Sequence, residues 1–293
     1  MSIMHVRRSD RKWRKPELMA HSPFGIKHRL LSFKARAAFN FNRYVKKQIL
    51  LQIGHGGLGD NLFLSHIPQI AKETSNVQRV FVSTHSVFRD TAYKHLIWES
   101  NPYLDGFVSK SGLEIVGPHT RPVQGSLLDH YLLKLGLNNR ISYLEPGCNL
   151  LDQYMLTLGL DDGLRFHEPK IYQQIPRSSK YENVILYDPN YITNVGRISA
   201  ETVREFFKRE GVQVNAQMQP YGNSIQLQEI TDRISTAGIM DFCALVVSCK
   251  ALYCLTSGTA TLAAALGKPC TVLYGDGVNT IYHHSRLHRY VRV

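Results

Sequence analysis

Short apolar runs alternate with amphipathic helical patterns twice along this chain, and this alternation limits the folds that it can adopt. In the first series, the sequence predicts strands at 47–53, 79–84 and 105–109, with helices at 61–73 and 91–100 between them. Strand, helix and strand at this spacing are typical of a parallel sheet with helices on its faces. The first half of the chain is therefore expected to form an α/β domain.

A second series of the same kind follows a stretch of weak pattern. This stretch, residues 161–180, carries Pro169 and Pro176 among polar residues, and we interpret it as a linker. Beyond it, strands are predicted at 183–187, 212–217, 251–255 and 269–274, and helices at 199–210, 227–234, 240–248 and 259–266. A chain of 293 residues has room for two domains of about 100 to 200 residues each.

The pattern as a whole predicts a leader and two Rossmann-like domains. We place the leader at 1–46, the first domain at 47–165 and the second at 180–293. Two near-repeats, at 127–137 and 150–160, are interpreted as amphipathic helices of the first domain that glycine terminates. Two doubly wound domains that face each other leave a cleft at the carboxyl ends of their strands, where such sheets bind ligands.

The net charge of +12 is concentrated at the start of the sequence. Residues 1–50 contain 13 Lys and Arg against Asp10 and Glu17, which leaves 22 basic and 21 acidic residues for the remainder. Trp13 and Phe41 lie among these cations. This mixture favours an anionic membrane surface, where each nearby Lys or Arg contributes about 1 kcal/mol. A solvated tail is the alternative, and no sequence signature supports nucleic acid as the partner.

The cysteines and the hydropathy pattern exclude several other classes. None of the five cysteines belongs to a C-x-x-C pair, so we expect buried thiols rather than zinc ligands. These residues are Cys148, Cys243, Cys249, Cys254 and Cys270. There is no apolar run of eighteen residues and no signal-peptide core, which predicts a cytoplasmic protein that can bind peripherally to the inner face of the cell membrane.

A glycine-rich loop, Gly54-His-Gly-Gly-Leu-Gly-Asp60, connects the first predicted strand to the first helix. Glycines there allow backbone N–H groups to approach a phosphate or a sugar closely. The loop also satisfies G-x-G-x-x-G, but the second strand ends in Ser83-Thr84-His85, without the acidic residue that holds a ribose. Arg89 keeps an NADP-dependent dehydrogenase open as an alternative. Asp60 itself is either an ordinary helix cap or a catalytic carboxylate.

A second motif extends from Leu252 to Gly275. It consists of a strand, a Thr256-Ser-Gly258 turn, a helix of small residues and a Gly-Lys-Pro stop before another strand. The hydroxyls of Ser257 and Thr259, together with the unpaired N–H groups of a helix N-terminus, suit a diphosphate. Ordinary strand-to-helix turn chemistry is the alternative interpretation.

Together these motifs resemble those of the ADP-heptose lipopolysaccharide heptosyltransferases, glycosyltransferase family 9. The glycine loop with Asp60 and the following Pro68 is similar to the family's N-terminal motif, Asn101-Pro-Tyr-Leu-Asp-Gly-Phe107 to its Asn-Pro element, and 252–275 to its donor-binding signature. The resemblance covers residues 47–280. The family commonly has Asp at the position of Thr256 and His at the position of Thr261.

The resemblance implies the GT-B architecture of two Rossmann-like domains. It also implies an inverting, metal-independent transfer of a sugar from a nucleotide-diphosphate donor to a glycolipid or polysaccharide acceptor, as in lipopolysaccharide biosynthesis. Asp60 would be the general base, and the nucleotide sugar is a co-substrate, with no further cofactor. The implied acceptor or glycine-loop residues are Gly56, Gly57, Gly59 and Asn61. The implied donor-binding residues are Arg197, Thr256, Ser257, Gly258, Thr259 and Thr261.

Three further features of the sequence bear on the function. No D-x-D motif occurs in the sequence, which favours a route without a metal ion. The substituted Thr256 and Thr261 favour instead a non-catalytic module that binds a sugar nucleotide or a glycan. His283, His284 and His288 are expected to be exposed tail residues rather than ligands.

Overall fold

A computed structural model of the chain describes residues 46–110, 113–115, 148–158, 160, 162–192, 195–221, 225–226, 229–278 and 282–293. The basic leader and the predicted helix at 127–137 lie outside these residues. Within them the fold is α/β with two parallel sheets, as the alternation predicted. No helix in the described ranges combines the length and the apolarity needed to cross a membrane.

The first sheet has four parallel strands in the order β3-β2-β1-β4. They are β1 (Gln48–Ile53), β2 (Arg79–Ser83), β3 (Phe107–Val108) and β4 (Leu113–Ile115). Every second residue of the central strand β1 is fully buried, namely Ile49, Leu51 and Ile53. These side chains form the core beneath the packed helices.

Among the residues that the structure describes, four helices accompany this sheet: α1 (Leu58–Leu64), α2 (Ile67–Thr74), α3 (Thr91–Tyr93, continued as a π-helix over Lys94–Glu99) and α4 (Leu150–Leu158). The sequence predicted one helix at 61–73, and the structure has α1 and α2 in its place. Pro68 lies in the first turn of α2, where proline's missing N–H would have had no intrahelical partner. A new helix therefore begins at Ile67.

The second sheet has six parallel strands in the order β12-β11-β10-β5-β7-β9. They are β5 (Ile185–Asp188), β7 (Ala216–Met218), β9 (Arg233–Ile234), β10 (Ala251–Leu255), β11 (Thr271–Tyr274) and β12 (Arg289–Arg292). Two short strands, β6 (Asn190–Tyr191) and β8 (Ile225–Gln226), form a separate antiparallel pair. The accompanying helices are α5 (Ala200–Arg209), α6 (Ile239–Ser248) and α7 (Gly258–Ala265).

Three predictions for this half were wrong. The expected helix at 227–234 is absent from the described residues 229–234, because Ile230 N donates to the Gln217 side chain (3.1 Å) and β9 pairs with β7. The strand at 269–274 is not the last one, since β12 extends the sheet beyond β11. His284 and His288 are not exposed tail residues: they are 3% and 8% exposed, and His288 Nε2 lies 2.9 Å from Ala260 O.

The five cysteines are buried free thiols, as predicted. Four of them, Cys243, Cys249, Cys254 and Cys270, pack in the hydrophobic core.

The predicted linker is an extended segment, residues 162–178, which we call the strap. Lys170 N donates to Ser65 Oγ (3.0 Å) at the end of α1, on the first sheet's side. On the second sheet's side, Ser178 N donates to Ser248 Oγ (2.8 Å) at the end of α6. The strap is thus hydrogen-bonded to elements of both sheets.

Candidate active site

Close backbone packing shapes the glycine loop after β1. A side chain at Gly56 would place its Cβ 2.8 Å from both Arg89 N and Val87 Cγ1, so glycine alone fits there. Arg89 N also donates a hydrogen bond to Gly56 O (3.0 Å). The loop is therefore fixed against the segment that follows β2.

Asp60 lies in the first turn of α1 and is half-buried. Its Oδ2 accepts a hydrogen bond from Gly57 N (3.1 Å). Burial raises the pKa of Asp60 above its ordinary value, while the charges of His55 and Arg89 and the Gly57 hydrogen bond partly oppose that shift. A carboxylate with a raised pKa is a better proton acceptor in its ionised form.

Asn61 is fully buried behind the same loop. Its Nδ2 donates to Gly57 O (2.9 Å), and its Oδ1 accepts from Trp98 Nε1 (3.0 Å). Both ends of the amide thus bond within the fold, and Asn61 holds the loop from the side of α3.

The second motif forms the turn between β10 and α7. Ser257 is the N-cap of α7 and accepts a hydrogen bond from Thr259 N (3.4 Å). Thr256, Thr259 and Thr261 are buried, at 6%, 0% and 1% exposure. Ser257 and Gly258 are half-buried and lead the helix.

The starts of α1 and α7 meet through their glycines. A Cβ added to Gly258 would lie 3.2 Å from Gly59 N and 3.4 Å from Leu58 Cβ. A Cβ added to Gly59 would lie 3.4 Å from Gly258 Cα and 3.6 Å from Thr261 Oγ1. Two motifs far apart in the sequence are therefore in contact, which brings the helix turn that carries Asp60 next to the Ser257 turn.

Arg197 is exposed and lies beside the loop that follows β11. Its backbone N donates to Asp276 O (3.0 Å), and a Cβ on Gly275 would lie only 2.1 Å from Arg197 O. Because β10 and β11 are neighbours, the structure places Arg197 at the same carboxyl edge of the sheet as the Ser257 turn.

The sequence reasoning missed two residues near the start of α7. Asp188, at the end of β5, is fully buried and accepts a hydrogen bond from Thr259 Oγ1. Tyr221 OH lies 3.5 Å from the same hydroxyl. The signal available for Asp188 was the Asp188-Pro-Asn190 run at the end of a predicted strand.

No family model matches this chain, and no curated protein matches its sequence. Solved structures match its fold. TibC, a heptosyltransferase from enterotoxigenic E. coli in complex with ADP-D-β-D-heptose, has a TM-score of 0.56 at 12% identity, over 82% of this chain and 61% of that one. E. coli ADP-heptose lipopolysaccharide heptosyltransferase II has a TM-score of 0.50 at 15% identity, over 84% and 90%.

A family 9 glycosyltransferase from Veillonella parvula also matches, with a TM-score of 0.49 at 12% identity, over 84% of this chain and 85% of that one. The resemblance to TibC and to heptosyltransferase II confirms the expected likeness at the level of the fold. TibC is an iron-containing protein. In the part of this chain that the structure describes, no three His, Cys, Asp or Glu residues are grouped to hold a metal ion.

Proposed function

We propose that this chain, which has the fold of heptosyltransferase-type glycosyltransferases, is itself an inverting glycosyltransferase. It moves a sugar from a nucleotide-diphosphate donor to a hydroxyl of a glycolipid or polysaccharide acceptor. The observation that carries the proposal is the contact between Gly59 and Gly258, which juxtaposes a candidate base and a candidate diphosphate site. The ADP-heptose held by TibC supports a nucleotide sugar as the co-substrate.

In this proposal Asp60 removes the proton from the acceptor hydroxyl. The hydroxyl oxygen then attacks the anomeric carbon from the face opposite the diphosphate, so the configuration at that carbon is inverted. The C–O bond to the diphosphate breaks as the new glycosidic bond forms. The raised pKa of Asp60 suits this general-base role, whose contribution is typically about 10² to 10⁴ in rate.

The departing diphosphate would be stabilised without a metal ion. Apart from Thr259 N, which donates to Ser257 Oγ, the N–H groups in the first turn of α7 lack intrahelical acceptors. The helix dipole also favours negative charge there. Ser257 contributes its hydroxyl, and Arg197 contributes a guanidinium, which matches phosphate geometry. We place this site in a cleft of GT-B type between domains at 47–165 and 180–293.

A panel of nucleotide sugars tests the proposal. Thermal-shift measurements would identify the donor that raises the melting temperature most, and NMR of the product formed with glycolipid acceptors would give the anomeric configuration. We expect one nucleotide-diphosphate sugar to bind and to yield an inverted product. Tight binding of NAD or NADP with no response to sugar nucleotides would support the dehydrogenase alternative, and donor binding without any product would support the non-catalytic module.

A further inference from the structure

The carboxylate of Asp188 is buried without a cationic partner among the groups that donate hydrogen bonds to it. It is fully buried at the end of β5 and accepts hydrogen bonds on both oxygens. Oδ1 accepts from Asn190 N (3.0 Å) and Asn190 Nδ2 (2.7 Å), and Oδ2 accepts from Thr259 Oγ1. All three donors are neutral. A buried carboxylate bonded to neutral groups costs free energy, so stability alone would favour an amide or an apolar side chain at this position.

The partners of Asp188 connect it to the proposed diphosphate site. Thr259 is the second residue of α7, and its own N–H donates to Ser257 Oγ (3.4 Å). Asp188 therefore holds the first turn of α7 from behind, while Gly258 in the same turn contacts Gly59. The Asn190 amide also donates to Gln219 O (3.2 Å), which ties this carboxylate to the segment after β7.

Charge also couples Asp188 to the proposed diphosphate site at the start of α7. A diphosphate at the start of α7 and an ionised Asp188 behind it would be like charges at one helix terminus. Burial raises the pKa of Asp188, although its hydrogen bonds partly oppose that shift. The titratable neighbours that interact with it are Tyr187, Tyr221 and Cys254, and burial contributes to raising the pKa of each, so these three remain neutral near pH 7.

We propose that Asp188 is a positioning residue of the diphosphate site: its carboxylate orients Thr259 and the first turn of α7, and it takes up a proton from solvent when a diphosphate binds there. The Thr259 hydroxyl then turns to accept a hydrogen bond from the protonated carboxyl. This inference rests on the proposed function, because it assigns the diphosphate to the start of α7. Asp188 does not contact the ligand in this scheme and acts through Thr259.

Calorimetric titration of the full-length protein with ADP, UDP and GDP tests the proposal, using the tightest of the three. Titrations in PIPES and in Tris, which differ in ionisation enthalpy, give the number of protons taken up on binding. We expect uptake by the parent protein that increases as the pH falls towards the pKa of Asp188. Asp188→Asn should lose that uptake, because an amide does not titrate and carries no charge to oppose the diphosphate.

The control is Asp152→Asn. Asp152 is also a buried carboxylate, at 2% exposure, but it bonds to the strap residue His167 and not to α7. This variant should keep the parent's affinity and proton uptake. If Asp188→Asn keeps the parent's proton uptake, the inference is wrong and the diphosphate site still stands. If the parent protein binds none of the three diphosphates, the proposed function fails and the inference fails with it.

A second pair of variants remains informative if Asp188→Asn does not fold. Thr259→Ser retains the hydroxyl that Asp188 accepts from, and Thr259→Val removes it with little change of shape. We expect the Ser variant to bind like the parent and the Val variant to lose about tenfold in affinity. Equal binding by both would overturn the route through Thr259.

Discussion

At the residue scale, the role proposed for Asp60 is open to a direct substitution. Asp60→Asn keeps the shape and removes the basicity, so we expect turnover to fall by about 10² to 10⁴ while donor affinity changes little. Turnover and the donor dissociation constant should be measured separately. The matched control is Asp90→Asn, because Asp90 also caps a helix, accepting from Ala92 N (2.8 Å), but at the start of α3. If Asp60→Asn turns over at the parent rate, Asp60 is a helix cap and not the general base.

The same carboxylate should set the acid limb of the pH profile. Asp60 acts as a base only when it is ionised, so kcat/KM falls as the pH drops through its pKa, which burial raises. The positive charge of Arg89 lowers that pKa, and Arg89→Gln should therefore move the limb to higher pH. Arg79→Gln is the control, since Arg79 lies at the start of β2, at the opposite edge of the sheet from the loop. If the acid limb of the Arg89→Gln profile lies at the same pH as in the parent, Asp60 is not the group that sets it.

Local chemistry explains which site residues the sequence could predict. Asp60 follows a glycine-rich loop and Ser257 lies in the Thr256-Ser-Gly258 turn. Each lies between a strand and a helix, and such turns are recognisable without knowledge of the tertiary fold. Asp188 was missed because aspartate at the end of a strand is usually exposed, whereas here it is fully buried and bonds to Thr259, which is distant in the sequence. His288 was missed for the same reason, since its partner Ala260 is distant in the sequence.

At the element scale, the contact between α1 and α7 depends on two glycines. Gly258→Val would insert a branched side chain where even a Cβ lies 3.2 Å from Gly59 N. We expect the free energy of unfolding to fall by about 1 to 3 kcal/mol. The rate of sugar transfer should also fall, because the turns that carry Asp60 and Ser257 must move apart. Denaturation curves and transfer assays measure the two effects.

Gly238→Val is the control for that prediction. Gly238 also precedes a helix, α6, but a Cβ there would meet nothing within 4 Å. Its valine variant should retain transfer activity. If Gly258→Val remains as active as Gly238→Val, the close approach of α1 and α7 is not needed for function.

The elements that were predicted correctly carry their own start and stop signals. The helix at 199–210 has Ser199 as its N-cap, accepting from Thr202 N (3.2 Å), and the structure gives α5 at 200–209. The short strands β9 and β12 carry no such signal. Each has a neighbouring strand on one side, and that pairing, which a single sequence does not display, creates the element.

At the scale of the whole molecule, binding of the leader to an anionic membrane surface stays a prediction. Its surplus of cations should bind vesicles that contain anionic lipid, and binding should weaken as salt rises because the Debye length is about 8 Å at physiological ionic strength. Trp13 and Phe41 should contribute a smaller component of vesicle binding that persists at high salt. Sedimentation of the full chain and of a variant with Gln at the leader's Lys and Arg positions, with anionic and neutral vesicles, measures both parts. Equal sedimentation of the two proteins would contradict an anchoring role.

The strap also has a consequence for how the chain is made. Glu168 in the strap accepts a hydrogen bond from Ser285 Oγ (2.7 Å), a residue translated 117 positions later, while its carbonyl already lies 2.8 Å from His66 Nδ1. While the second half of the chain is still being translated, the Glu168 carboxylate lacks its Ser285 partner and remains in water. The hydrogen bond from Ser285 to Glu168, which connects the strap to the segment before β12, forms only after Ser285 has been translated.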